Sequence, residues 1–179
     1  MRRLVTGILL SAAFLSACSP GKKETITAAD MQKTFVKPFS DSLSADTFRL
    51  QIEGERPEDM RLHFTITSFR SQQIYDTLIP ASSLFKNYDA TINLNKKNNQ
   101  IKFLKEEMSR FFDEENFMEP AVTESERPDK NVPDKAFFEE LKQKPLNGFA
   151  YRLGKDQKIY IAWSTLQGKV KTYYSCCKP

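Results

Sequence analysis

Phe48-Arg49-Leu50-Gln51-Ile52-Glu53 and, after a short break, Leu62-His63-Phe64-Thr65-Ile66-Thr67 decide the fold. In both runs apolar and polar residues alternate, the period of a strand with one face buried and one in water. The intervening Gly54–Asp59, with Pro57, carries the residue types that reverse a chain. The two runs therefore predict an antiparallel hairpin with a single apolar face.

Working outward, Ile74–Ile79 reads as a third strand. Pro80 ends it, and residues 81–86 suit one helical turn. Thr91–Asn95 suggests a short strand, followed by a turn at Lys96-Lys97-Asn98-Asn99. Ile101, Leu104, Met108 and Phe111 then fall on one face of a helix, predicted over 100–113. Residues 113–133 hold Asp113, Glu114, Glu115, Glu119, Glu124 and Glu126 together with Pro120, Pro128 and Pro133, and read as a long disordered surface loop. A second helix starts at Pro133 or Asp134, turns Phe137, Phe138 and Leu141 inward, and stops at Pro145. The last third is a three-stranded meander: Phe149–Leu153, Ile159–Trp163 and Val170–Ser175. The middle of these strands is apolar on both faces and is expected to be covered on both.

Upstream, residues 18–45 read as a tether. Thr27-Ala28-Ala29-Asp30 starts like a helix cap, with Met31, Phe35 and Val36 on one face and Pro38 as the stop. The expected architecture is one α+β domain over 46–179. It would hold an antiparallel sheet of five to seven strands with two helices on one face. The alternative is a β-sandwich with helical insertions. The 14 Phe and 6 Tyr supply large bodies for a core. With only 6 Gly, and none between residues 55 and 147, phosphate-cradling loops and calcium loops are disfavoured.

The first 18 residues answer a different question. Arg2-Arg3 precede the apolar segment Leu4–Ala17, which is short of the ~20 residues a spanning helix needs. Leu15-Ser16-Ala17-Cys18 closes it with small residues before a cysteine. This pattern resembles the lipobox of bacterial lipoprotein precursors. The chain as a whole is similar in style to the small uncharacterised lipoproteins of Bacteroidota. The resemblance implies that residues 1–17 are removed as a signal peptide and that the Cys18 sulfur is acylated. The mature protein would then be held at the cell envelope by its acyl chains. Ser19 after the cysteine, rather than Asp, implies sorting to the outer membrane. The mature chain loses Arg2 and Arg3 from 27 basic residues against 23 acidic ones, and keeps a net charge of +2. That mild charge argues against a nucleic-acid partner.

The chemistry-bearing residues are sparse. His63 is the only histidine, which excludes a multi-histidine zinc site. No catalytic set, metal or cofactor is expected. The acids of 113–126 and the turn residues Lys96 and Lys97 read as solvated charge. Tyr160 and Tyr173 are the candidate ligand-binding residues, because aromatic faces on a sheet suit sugar rings. Tyr174, next to Tyr173 on one strand, is expected to face the other way. Trp163 reads as core. Cys176 and Cys177 are a candidate redox pair, although adjacent α-carbons at ~3.8 Å lie inside the usual disulfide span. The function expected is a non-enzymatic binding or accessory module anchored to the membrane. The alternatives are a carboxylate-dependent enzyme acting on glycans, or a thiol-based redox sensor.

Overall fold

The computed structural model describes residues 31–88 and 92–176. The lipobox with Cys18, and Cys177, lie outside the described residues.

Among the described residues, eight strands form two antiparallel four-stranded sheets. The first sheet is β1 (Gln32–Pro38), β2 (Ala45–Glu53), β3 (Arg61–Thr67) and β4 (Gln73–Pro80). The second is β5 (Phe117–Met118), β6 (Gly148–Arg152), β7 (Lys158–Ser164) and β8 (Lys169–Cys176). Each sheet pairs its strands in chain order. The helices among the described residues are α1 (Ala81–Leu84), α2 (Lys97–Arg110) and α3 (Lys135–Gln143).

The hairpin pairs as its alternation requires. Phe48 lies opposite Ile66, Leu50 opposite Phe64 and Ile52 opposite Leu62, all buried. Side chains of period two put these six on one face, and Arg49, Gln51, His63 and Thr65 on the other. That apolar face meets the inner face of the second sheet. Phe149 of β6 lies 5.5 Å from the Phe48 ring and 5.3 Å from Phe64, mostly in tilted or edge-on contact. Phe111 and Phe112, at the end of α2, insert their rings between the sheets from the side. The Tyr75 and Tyr151 hydroxyls, one from each sheet, lie 2.8 Å apart and satisfy each other inside this layer.

Two sheets thus replace the expected single sheet of five to seven strands, and the helices do not share a face. The reason is area. Both strand sets present a continuous apolar face, and two helices of 14 and 9 residues cannot cover both. The sheets cover each other instead, which is the stable layering for half-buried sheets. α2 buries Phe103, Leu104 and Met108 in the inter-sheet core, while α3 covers the outer face of the second sheet.

The segment expected to be a tether with a short helix is partly inside the domain. Residues 32–38 form edge strand β1, and Phe39 is fully buried. Phe35 packs on Phe117 at 5.2 Å, and Lys37 pairs with Glu114 and Glu119 at 2.6 and 2.5 Å. Pro38 ends the strand at its open edge, where a missing N–H costs little. Residues 92–95 are turns rather than a strand, and α2 begins at Lys97, earlier than expected.

The acidic stretch 113–133 is ordered. It makes a single 3-10 turn, strand β5 and a cis bond at Glu119-Pro120. Ala121, Val122 and Val132 are buried against α3. Ala121 N–H donates to Leu146 C=O at 2.8 Å, and Ser175 N–H donates to Asn131 C=O at 3.0 Å. These bonds fasten the stretch to the segment leading into β6 and to β8.

Phe64 carries the joint between the sheets. Phe64→Ala is expected to lower unfolding free energy by about 3–5 kcal/mol, as a buried ring deletion with partial collapse does. Chemical denaturation followed by far-UV circular dichroism measures it.

Candidate functional site

β7 is apolar on both sides because both are covered. Ile159, Ile161 and Trp163 pack toward the inter-sheet core, with Trp163 at its periphery. Tyr160 and Ala162 point to the layer made by α3 and the 119–134 segment. α3 is fixed there by Asp134, whose side chain accepts the Phe137 N–H at 3.0 Å and the Lys171 ammonium at 2.6 Å. The ammonium of Lys171 also sits 4.8 Å above the Phe137 ring.

The β7–β8 pairing contains a register shift. Tyr160 lies opposite Tyr174, whereas the next residue, Ile161, lies opposite Thr172. Tyr173 is the extra residue of a bulge, which breaks the strict alternation of the strand. The expectation that Tyr173 and Tyr174 face opposite ways therefore fails. Both rings approach Tyr160, at 6.1 Å and 5.4 Å between centroids.

These three tyrosines line a cavity of about 330 Å³ on the outer face of the second sheet. Its apolar wall is Met118, Pro120, Ala121 and Phe138. Glu126, Arg127 and Asp129 stand on the loop side, exposed to solvent. The volume is at the small end of the range for small-molecule sites, and the mix of aromatic walls with a few polar groups is their usual lining.

The polar groups differ in how far they are already engaged. The Glu126 carboxylate accepts from the Thr123 N–H and hydroxyl at 3.0 and 2.8 Å, closing a local turn. Asp129 accepts from the Asn131 N–H at 2.8 Å and from the Tyr174 hydroxyl at 3.2 Å. Tyr173 is only 4% exposed, yet its hydroxyl has no hydrogen-bond partner among the described residues. Since no fully sealed side-chain oxygen or nitrogen is left unsatisfied, that oxygen opens on the cavity. Arg127 has no ion-pair partner among the described residues. Burial pushes the Tyr173 phenol up, with Tyr160 and Glu126 adding to it, and burial beside Tyr174 raises that of Tyr160. Both phenols are neutral at physiological pH.

Gly148 makes room for this arrangement. A β-carbon there would lie 2.8 Å from the Tyr173 hydroxyl and 3.0 Å from the Ala121 β-carbon. Glycine in β6 thus permits Tyr173 to lie flat against the sheet.

The other candidates go elsewhere. His63 sits on the outer face of the first sheet, Nδ1 at 2.9 Å from Glu53 and Nε2 at 3.0 Å from Asp76, in a surface network with Arg61. Cys176 ends β8 and is disulfide-bonded. A second cavity of about 130 Å³ lies by α2 and β6, where Glu107 pairs with Arg152. Burial raises the Glu107 carboxyl, and Arg152 opposes the shift only in part. Lys96 precedes α2 and Lys97 begins it, and Lys97 pairs with Glu58 at 3.3 Å. Among the described residues no cluster of three His, Cys, Asp or Glu side chains is placed to hold a metal ion.

Sequence reasoning missed two features. One is the bulge, for which the adjacent aromatic pair Tyr173-Tyr174 on a strand was the available signal. The other is Glu140, a buried acid of α3 that accepts from the Ser164 and Thr165 hydroxyls and the Leu166 N–H at 2.8–3.1 Å. It caps the β7–β8 turn from the helix side. Burial works to raise its carboxyl, but the Leu166 N–H and the two hydroxyls outweigh burial and hold it below its ordinary 4.5.

No family model, curated protein or solved structure matches this chain.

Two outcomes are expected. Gly148→Ala destabilises by about 1–3 kcal/mol through overpacking on Tyr173. Adding Tyr173→Phe recovers part of the loss, so a double-mutant cycle in urea returns a nonzero coupling. Because the folded-state pKa of Glu140 is depressed, its contribution is complete above the unfolded value near 4.5 and is lost as pH falls through the folded one. Glu140→Gln is therefore expected to unfold more easily at pH 7 and to differ less from the native chain at pH 3, read from melting temperatures across that range.

Proposed function

We propose that the protein is a lipid-anchored envelope lipoprotein that acts as a non-enzymatic binding module, with its ligand held in the three-tyrosine cavity. The anchor follows from the lipobox at Leu15-Ser16-Ala17-Cys18, and Ser19 favours the outer membrane. Among the described residues no helix is long and apolar enough to cross a membrane, which leaves the acyl chains as the attachment in this reading.

One observation carries the binding role. A bulge spends an extra residue to bring two adjacent tyrosines beside a third, and it leaves the hydroxyl of the most buried one without a protein partner. That hydroxyl opens on the cavity, where it is available to a polar group of a ligand. The 119–134 segment supports the reading by forming the other wall of the cavity. Its Glu126 and Asp129 are engaged in turns and in the Tyr174 contact, so it serves as a shaped rim.

A second reading keeps one specific support. Glu126 and Asp129 line the same cavity, and a pair of carboxylates is the equipment of glycan hydrolysis. In that reading the aromatic walls would orient a sugar ring.

The tests separate these claims. Radiolabelled palmitate is expected to enter the protein in growing cells, and a Cys18→Ala form is expected to leave the membrane fraction. Equal membrane retention of both forms would remove the anchor. Reducing ends released from envelope glycans by the purified protein, and abolished by Glu126→Gln, would establish the hydrolytic reading in place of the binding one.

A further inference from the structure

The angles between the three rings narrow the ligand class. This step rests on the binding-module reading above. Tyr160 and Tyr174 meet at 88°, and Tyr160 and Tyr173 at 69°. A pyranose ring stacks best on a flat platform. Rings near right angles make a corner instead, able to present more than one aromatic face to a single compact group. The face of each ring carries negative electrostatic potential from its quadrupole. A corner of such faces attracts a cation, and the attraction is strongest where water is excluded.

The remaining lining decides which cation. The side chains of Phe138, Pro120 and Ala121 offer no acceptors, and Met118 offers only a weak thioether one. A primary ammonium would bring three N–H donors and leave some unsatisfied against that wall. A quaternary ammonium has no N–H to satisfy and an apolar methyl surface. Glu126 and Asp129 on the loop side add carboxylates near the corner. Arg127, with no ion-pair partner among the described residues, brings the opposite charge to the same opening. A cation alone would leave it unused, whereas a ligand with an anion a short link away from the ammonium would engage it, since a guanidinium matches phosphate geometry in two parallel bonds.

We propose that the cavity binds a quaternary ammonium zwitterion of the phosphocholine type, the trimethylammonium in the corner of Tyr160, Tyr173 and Tyr174 and the phosphate on Arg127. The shared chemistry serves a free solute and a lipid headgroup alike.

The test uses the full-length chain, titrated by calorimetry and by NMR of its tyrosine ring signals. The probes are choline, phosphocholine, 3,3-dimethylbutan-1-ol (the uncharged carbon isostere of choline) and a neutral disaccharide. Choline is expected to bind about tenfold more tightly than the isostere, the size of a partly desolvated cation–π contribution. Phosphocholine is expected to bind more tightly than choline, and Arg127→Gln to remove that difference while leaving choline unchanged. Because Arg127 is exposed, this variant keeps its fold where Tyr160→Ala, expected to lose about tenfold, need not. Sedimentation with phosphatidylcholine but not phosphatidylglycerol vesicles assigns the headgroup as the source, and binding of soluble phosphocholine alone assigns the free solute. Equal affinity for choline and its isostere overturns the inference, as does an Arg127→Gln form that still prefers phosphocholine. Binding of the disaccharide in preference to choline overturns it while preserving the binding-module reading. Ring signals that respond to none of these probes or to a broad panel of envelope solutes end both.

Discussion

Neither sheet of this protein has a reason to exist without the other. Each is a four-stranded antiparallel layer with one apolar face, and a sheet of that kind gains stability only when the face is covered. The covering contact is aromatic: Phe48 and Phe64 from the first sheet against Phe149 and Tyr151 from the second, with Phe111, Phe112 and Phe117 filling the flanks. Rings of this size bury large areas and lock in tilted and edge-on geometries, so the joint is both strong and specific in orientation. The paired hydroxyls of Tyr75 and Tyr151 let two polar groups enter that layer without an unsatisfied atom.

The same joint is what frees the far side of the second sheet. With its inner face held by the phenylalanines, its outer face takes a smaller, separate layer. There α3 and the acidic segment pack on Ala162 and Tyr173 around Val122, Val132, Phe137 and Leu141. That layer is thin, is pinned at its ends by main-chain bonds and by Asp134 and Glu140, and does not fill the space beside Tyr160. The cavity is the remainder. Its rigid wall belongs to the sheet, and its adjustable polar rim belongs to a loop, the usual division between scaffold and binding residues.

What could be read in advance divides by the kind of signal. The β2–β3 hairpin, α2 and the closing meander were legible because their apolar residues recur at a fixed period, and β4 and α3 because prolines bound their apolar runs. β1 was not, because Met31, Phe35 and Val36 fit a helical face as well as Lys33, Phe35 and Lys37 fit a strand, and only the backbone of β2 decides between them. The acidic segment was misjudged for a related reason. Phe117, Ala121, Val122 and Val132 have no regular spacing, so their burial depends on a surface elsewhere in the chain. The division into two sheets follows from comparing areas, which a pattern along the chain does not display. At the candidate site Tyr160 and Tyr173 were legible as aromatic residues on strands. Tyr174 was assigned to the wrong side because alternation was assumed through a bulge. Cys18 rests on its motif alone, and Cys176, at the end of β8, is far in kind from the tyrosine corner.

The bulge has an evolutionary side. Since Tyr160 already pairs with Tyr174 and Ile161 with Thr172, Tyr173 stands outside the ladder, and loss of its single codon would leave every cross-strand partner of β7 in place. The inter-sheet core would not register the change, while the corner would lose a wall and Gly148 one of the two neighbours that keep it small. Presence or absence of one residue thus becomes a switch between a chain that retains a pocket and one that retains only a fold, and a lineage could cross it in one step in either direction.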